Sequence, residues 1–295
     1  MSWINAIVHG ILLGGVYALL ATGLSLTFGV MRIINLAHGS FALVGAYMAF
    51  LLVDHLHVSA YLALVPVLPG ALVAGWVLQR TMLERSLRAG ELVPLLTTFG
   101  LLIVIGNLLQ YFFSPDVHSL PAGAIGSASW RVSSSLTIPW FDVLILAVAV
   151  VVLGSLQLLL RRTQFGRELR ATAADPDTAE LMGVNARAVY ARATAIAAAT
   201  AALAGVFYAM RSAFDPFSGA AQLIYAFEAV VIGGIGSLWG TLVGGIVLGV
   251  AQTIGAQINV QYFALGGHLV FLTVLILRAV LQGGGLRVLP RRAEA

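Results

Sequence analysis

The chain contains no cysteine, so it carries neither a disulfide framework nor a thiolate metal site. It contains no lysine either: all 16 basic residues are arginine. That excludes a phosphate-binding loop built on a lysine, and it excludes Schiff-base chemistry. Charge of both signs is scarce, at 9% of residues, against about 25% in a soluble domain. No GxGxxG, HExxH, CxxC or Walker sequence occurs, so the usual nucleotide, zinc and redox signatures are missing. No nucleophile–base constellation stands out, which argues against an enzyme. The six histidines (9, 38, 55, 57, 118, 268) are scattered. His55 and His57 share a turn with Asp54, which reads as a solvated loop rather than a preorganised metal site. The first residues, MSWINAIVHG, lack a positive n-region. The first apolar stretch therefore reads as a retained span, not a cleaved signal. The 32 glycines follow no Gly-X-Y period, and no internal repeat is evident.

What the chain has instead is apolar length. Hydrophobic residues make up 60% and the mean hydropathy is +0.96. The expected architecture is an all-α polytopic membrane helix bundle, a single domain over 1–295. Candidate spans are Ile4–Phe28, Leu36–Val53, Ser59–Gln79, Leu92–Phe113, Trp140–Leu160, Ala193–Arg211, Leu223–Ile235, Leu238–Ala256 and Tyr262–Leu281. The seventh is short enough to be re-entrant or broken, so the reading is eight to nine membrane segments. The loop 114–139, rich in Ser, Gly and Pro and bearing Trp130, has room for a short interfacial helix.

In such a protein the formal charge of +4 speaks to orientation, not to a nucleic-acid partner. Alternate connections share a side of the membrane. One side collects Arg32, three arginines in 80–88, six in 161–192 and four in the tail (278, 287, 291, 292). The other holds Arg131 and Arg211. The arginine-rich side is expected to be cytoplasmic, which puts the N-terminus outside and the C-terminus in the cytoplasm.

The most distinctive stretch is 161–192. Ten of the 28 charged residues lie in these 32 positions: six arginines with Glu168, Asp175, Asp177 and Glu180. A polar island of this size belongs in water or against a partner. At its centre stands complete helix punctuation. Asp175 is a good N-cap, Pro176 suits the first helical position, and Asp177 adds negative charge where the helix dipole favours it. Gly183 can take the left-handed conformation that ends a helix. The spacing predicts a short free-standing helix from Asp175 to Met182, whose apolar residues Ala179, Leu181 and Met182 need something to bury against.

Three polar residues near or within apolar spans stand out as candidates for a translocation path. Asn35 and His38 are three apart, hence on one face if the segment 32–40 is helical. They read either as groups facing a cavity or as a polar start that caps span two. Glu228 reads either as a functional intramembrane acid or as a near-surface acid paired with an arginine or capping a helix. Gly236, Gly240 and Gly244 lie four apart, a spacing that lets membrane helices approach closely, and Gly245 and Gly249 repeat it.

Three segments then carry a resemblance to a known family. GGVYALLATGLSLTFGVMRIINLAHGSFALVGAYMA (14–49) resembles the start of LivH-type permeases, the membrane subunits of branched-chain amino-acid ABC importers. EAVVIGGIGSLWGTLVGGIVLG (228–249) is similar to the same family's C-terminal signature. ATAADPDTAELMGVN (171–185) resembles the segment by which ABC importer permeases dock on their ATPases, so the resemblance gives Asp175 to Gly183, including Glu180, a coupling role. It implies a second homologous permease, two cytosolic ATPases that bind the ATP, an external substrate-binding protein and a place in the bacterial inner membrane. No cofactor is expected in this chain. Relatives of this kind handle leucine-like amino acids, other hydrophobic amino acids, or urea and short amides. A secondary carrier is the alternative of a different class, disfavoured because its intramembrane ionisable residues are so few.

Overall fold

The computed structural model describes residues 3–31, 33–90, 92–133 and 136–282. Arg32 and the tail arginines 287, 291 and 292, used above to count charge, lie outside the described residues. Among the described residues the chain is almost wholly helical: α1 (Trp3–Met31), α2 (His38–Leu56), α3 (Ala60–Leu78), α4 (Glu84–Ala89), α5 (Val93–Phe113), α6 (Ala124–Ser127), α7 (Trp140–Arg162), α8 (Gln164–Ala174), α9 (Pro176–Leu181), α10 (Ala186–Arg211), α11 (Ser218–Gly233), α12 (Leu238–Ile258) and α13 (Tyr262–Gln282). Two short antiparallel strands, β1 (Ser129–Ser133) and β2 (Leu136–Pro139), form a hairpin in the long loop. The four-residue α6 precedes them where a short helix was expected.

Eight helical stretches are long and apolar enough to cross a membrane. The ninth, α11, has 16 residues, which at 1.5 Å per residue gives about 24 Å, less than a hydrocarbon core of about 30 Å. Both of its ends are built by local chemistry. Asp215 accepts a hydrogen bond from the Phe217 N–H at 2.8 Å and contacts the Ser218 hydroxyl, which turns the chain into α11. Gly234, with φ +99°, stops it.

Two expected boundaries move. The third span does not stop at Gln79 but continues through a π-helical turn, Gln79–Leu83, into α4. The sixth begins at Ala186, seven residues before the apolar run at Ala193. In both cases a helix started in the apolar region runs on into the polar one. Glu84 then ties the two extensions together through Arg187 at 3.4 Å. Hydropathy finds where the lipid ends, not where the backbone hydrogen bonds end.

α1 and α10 are the centre of the bundle, with 72% and 78% of their apolar windows buried, whereas α13 has 6% buried. Small residues explain the difference. α10 is largely alanine, and α1 brings Gly14 against Gly245 of α12, where an added Cβ on Gly245 would lie 2.7 Å from the Gly14 carbonyl oxygen. Backbones this close gain dispersion contacts along their whole length, the main force between helices in lipid.

The ends of the bundle differ in chemistry. At one end lie the Gly29 and Gly236 backbones in mutual contact, the α8–α9 segment, Glu84 with Arg187, and Arg278, which donates to the Ile232 carbonyl at 2.9 Å. At the other lie the hairpin, the His118–Phe214 backbone bridge and an ion pair between Asp142 and Arg211 at 2.8 Å. Trp130 and Trp140 stack there at 6.3 Å, partly exposed, as aromatic anchors do at a membrane–water interface.

Candidate functional site

The polar island folds as two short helices at one end of the bundle, α8 packed against α1, α7 and α10 and α9 following it. Thr163 caps α8 by accepting from the Gly166 N–H at 3.2 Å. Glu168 accepts from Gln164 at 2.9 Å and pairs with Arg192 of α10 at 3.3 Å, and Arg192 also lies over the Phe165 ring. α8 is thus pinned to α10.

α9 follows the punctuation in the sequence. The Asp175 carboxylate accepts from the backbone N–H of Asp177 at 3.0 Å and of Thr178 at 3.1 Å, and from the Thr178 hydroxyl at 2.6 Å. These bonds, the hydroxyl's first, hold its carboxyl below the usual carboxylate range. Pro176 occupies the first position and Gly183 takes φ +85°, the left-handed conformation that ends the turn. Ala179 is buried, and its carbonyl accepts from the Val184 N–H at 3.0 Å, folding the exit back under the helix. Leu181 and Met182 remain 88% and 81% exposed, and Glu180 is exposed beside them.

Asn35 and His38 do not share a helical face. α2 begins only at His38, and Asn35 stands in the preceding non-helical link, where its Oδ1 accepts from the Ala37 N–H at 3.0 Å. An Asx turn competes with helix for the same donors. Both side chains are buried. His38 Nε2 bonds the Leu20 carbonyl of α1 at 2.9 Å, and its Nδ1 has no partner among the described residues.

Glu228 is 3% exposed on α11 and pairs with His268 of α13, not with an arginine. His268 carried no signal in the sequence beyond being an ionisable residue inside the last apolar run. Tyr225 stacks on its ring, with centroids 6.3 Å apart, and Tyr17 of α1 lies 5.2 Å from Tyr225. The Tyr17 hydroxyl donates to Gln252 Oε1 of α12. Four helices therefore converge on one polar strip. Among the described residues no hydrogen bond joins it to Asn35 or His38, so the three path candidates fall in two places.

The glycine spacing resolves unequally. Gly240 and Gly244 face α11, where added Cβ atoms would collide with the Gly233 and Ala229 carbonyls. Gly236 lies instead in the turn between α11 and α12, with φ +79°. Its role is conformational, because the turn needs a residue free to be left-handed.

Comparison with known proteins agrees with this architecture. The family model described as branched-chain amino acid transport system / permease component matches residues 6–280. The chain is 31% identical over 268 residues to the high-affinity branched-chain amino acid transport system permease protein BraD of Pseudomonas aeruginosa, covering 87% of each. It is 29% identical over 279 residues to the permease protein LivH of Escherichia coli K12, covering 89% of each. It is also 26% identical to LivM of the same organism, over 88% of this chain and 66% of that one. No solved structure matches. With the model spanning nearly every described helix, this chain belongs to the branched-chain amino acid transport permease family.

Proposed function

We propose that the chain is the membrane-spanning permease subunit of an ATP-driven importer of branched-chain or other hydrophobic amino acids. It is a multi-pass inner-membrane protein that forms part of the translocation path and couples to cytosolic ATPases. The observation that carries this reading is α9, a capped helix at the polar end of the bundle with Leu181 and Met182 held out in water. Apolar side chains presented so fully are suited to a groove on a partner. The partners are a second homologous permease, two ATPases and an external binding protein, and ATP is held by the ATPases. Closure of the ATPases on ATP moves α9, and the ion pair Glu168–Arg192 passes that movement to α10 at the centre of the bundle.

The arginine distribution supports an orientation for this reading, with the end bearing α9 cytoplasmic and the N-terminus outside. Asn35, His38 and Glu228 border the path at two different stations. Reconstitution tests the whole reading. Vesicles holding this chain with its partner permease and ATPases should take up leucine from a loaded binding protein only when ATP is supplied. Uptake by this chain alone, driven by an ion gradient, would make it a secondary carrier. Uptake of urea or acetamide in preference to leucine would move it to the amide importers.

A further inference from the structure

The strip around Glu228 contains two buried polar atoms without partners, and they are of opposite kinds. Glu228 Oε1 is engaged by His268 Nδ1, but Oε2, an acceptor, has no partner among the described residues. Gln252 Oε1 is engaged by the Tyr17 hydroxyl, but Nε2, a donor, has none. Buried groups of this sort are normally satisfied, and each exception calls for an explanation.

The two flank the same backbone step. A Cβ placed on Gly267 would lie 3.0 Å from Gln252 Nε2, and the next residue is His268, the partner of Glu228. A chain of side-chain contacts joins the two: Tyr17 bonds Gln252, the Tyr17 and Tyr225 rings meet at 5.2 Å, and Tyr225 stacks on His268, the partner of Glu228. His268 itself is 43% exposed at the side chain, on the least buried helix of the bundle. An imidazole that open does not face acyl chains comfortably, so this side of α13 adjoins water or another permease chain.

We infer that Glu228 and Gln252 form a subsite for a zwitterionic α-amino acid, Glu228 taking the ammonium group and the Gln252 amide donating to the carboxylate. The inference rests on the permease reading above and names the groups that handle the cargo. In the present state the subsite is closed: Glu228 is 3% exposed and His268 engages its Oε1, which leaves Oε2 for the ammonium. Cargo entry displaces the imidazole toward the open side of α13. Gly267 is left without a side chain because a larger residue would press on the Gln252 amide.

The test uses the complete complex in vesicles with labelled L-leucine, in wild type, Glu228→Gln and Gln252→Met. Glu228→Gln keeps the size and an acceptor for His268 and removes only the charge. Leucine delivered per ATP hydrolysed should fall about ten-fold or more in each variant. A second readout needs no binding protein: the melting temperature of the purified complex should rise with leucine but not with 4-methylpentanoate, which lacks the ammonium group, and Glu228→Gln should abolish that rise. Wild-type delivery per ATP in both variants, or equal stabilisation of Glu228→Gln by leucine, overturns the subsite. A melting temperature lowered without leucine in Glu228→Gln, with normal delivery per ATP in Gln252→Met, would make the pair a tie between α11 and α13 and would also overturn it. Failure of the permease reading looks different: wild type itself would then show no ATP-driven uptake.

Discussion

α9 and the Glu228 strip are inverse misfits. At α9 the polar work is complete, with Asp175 satisfying the helix start, yet two large apolar side chains stand in water. At the strip the helices close on one another through small residues, yet among the described residues an acceptor and a donor are buried without partners. Each region is wrong for its surroundings in one respect. In the reading proposed above, each misfit has the chemistry of what arrives: an apolar groove at one, a charged small molecule at the other. Other buried polar atoms also lack partners among the described residues, His38 Nδ1 of α2 among them, whereas the close contact of Gly205 of α10 with the Ala42 backbone of α2 has no such defect and reads as packing.

That contrast can be broken from either side. The largest effect is expected where there is no misfit. Gly205 of α10 lies directly on the Ala42 backbone of α2, so Gly205→Leu must push two central helices apart. Overpacking of this kind costs about 1–3 kcal/mol or more, and thermal unfolding of the solubilised protein should drop with every activity. At α9 the protein should stay folded while coupling is lost. Leu181→Asp, which adds charge at an already exposed position, should leave the melting temperature unchanged and reduce ATP-driven uptake about ten-fold or more. Gly183→Val should act in the same direction, because a β-branched residue in the left-handed region costs about 1–2 kcal/mol. Normal uptake in both variants would reduce α9 to a solvated connector.

The absence of cysteine makes a third test clean. Cysteine at Ala89 or Ala174, both exposed at the α9 end, should react with an impermeant maleimide only from the cytoplasm, and cysteine at Ser127 only from outside. Labelling of position 174 in intact cells would reverse the orientation and remove the ATPases from reach. The smallest effect concerns pH. Because folding lowers the Asp175 pKa, its capping contribution is present above the ordinary carboxylate range and is lost as pH falls through the lowered value. Hydrogen exchange at Asp177 and Thr178 should therefore speed up in acid beyond its intrinsic trend, while exchange at the Thr163 cap of α8 should not.

Much of this was legible from residue order alone. Helix existence in lipid follows from runs of apolar residues, because no other backbone conformation satisfies its own hydrogen bonds there. The start and stop of α9 follow from Asp175, Pro176 and Gly183, since capping is a contact between residues two or three apart. The ends of α3 and α10 were less legible, because a helix propagates past the lipid boundary when its polar residues find partners such as Glu84 and Arg187.

The sequence by itself determined the material class, the number of apolar segments, the two-sided distribution of arginine and the capped loop helix, all of which depend on composition or on near neighbours. Only the tertiary structure decided which acid met which base. Glu228 and His268 are 40 residues apart, and Tyr17 and Gln252 are 235 apart. No periodicity links such pairs. They meet because small residues let α1, α11, α12 and α13 close on one another, and the polar atoms left over in that closure are a property of the packing, not of any segment.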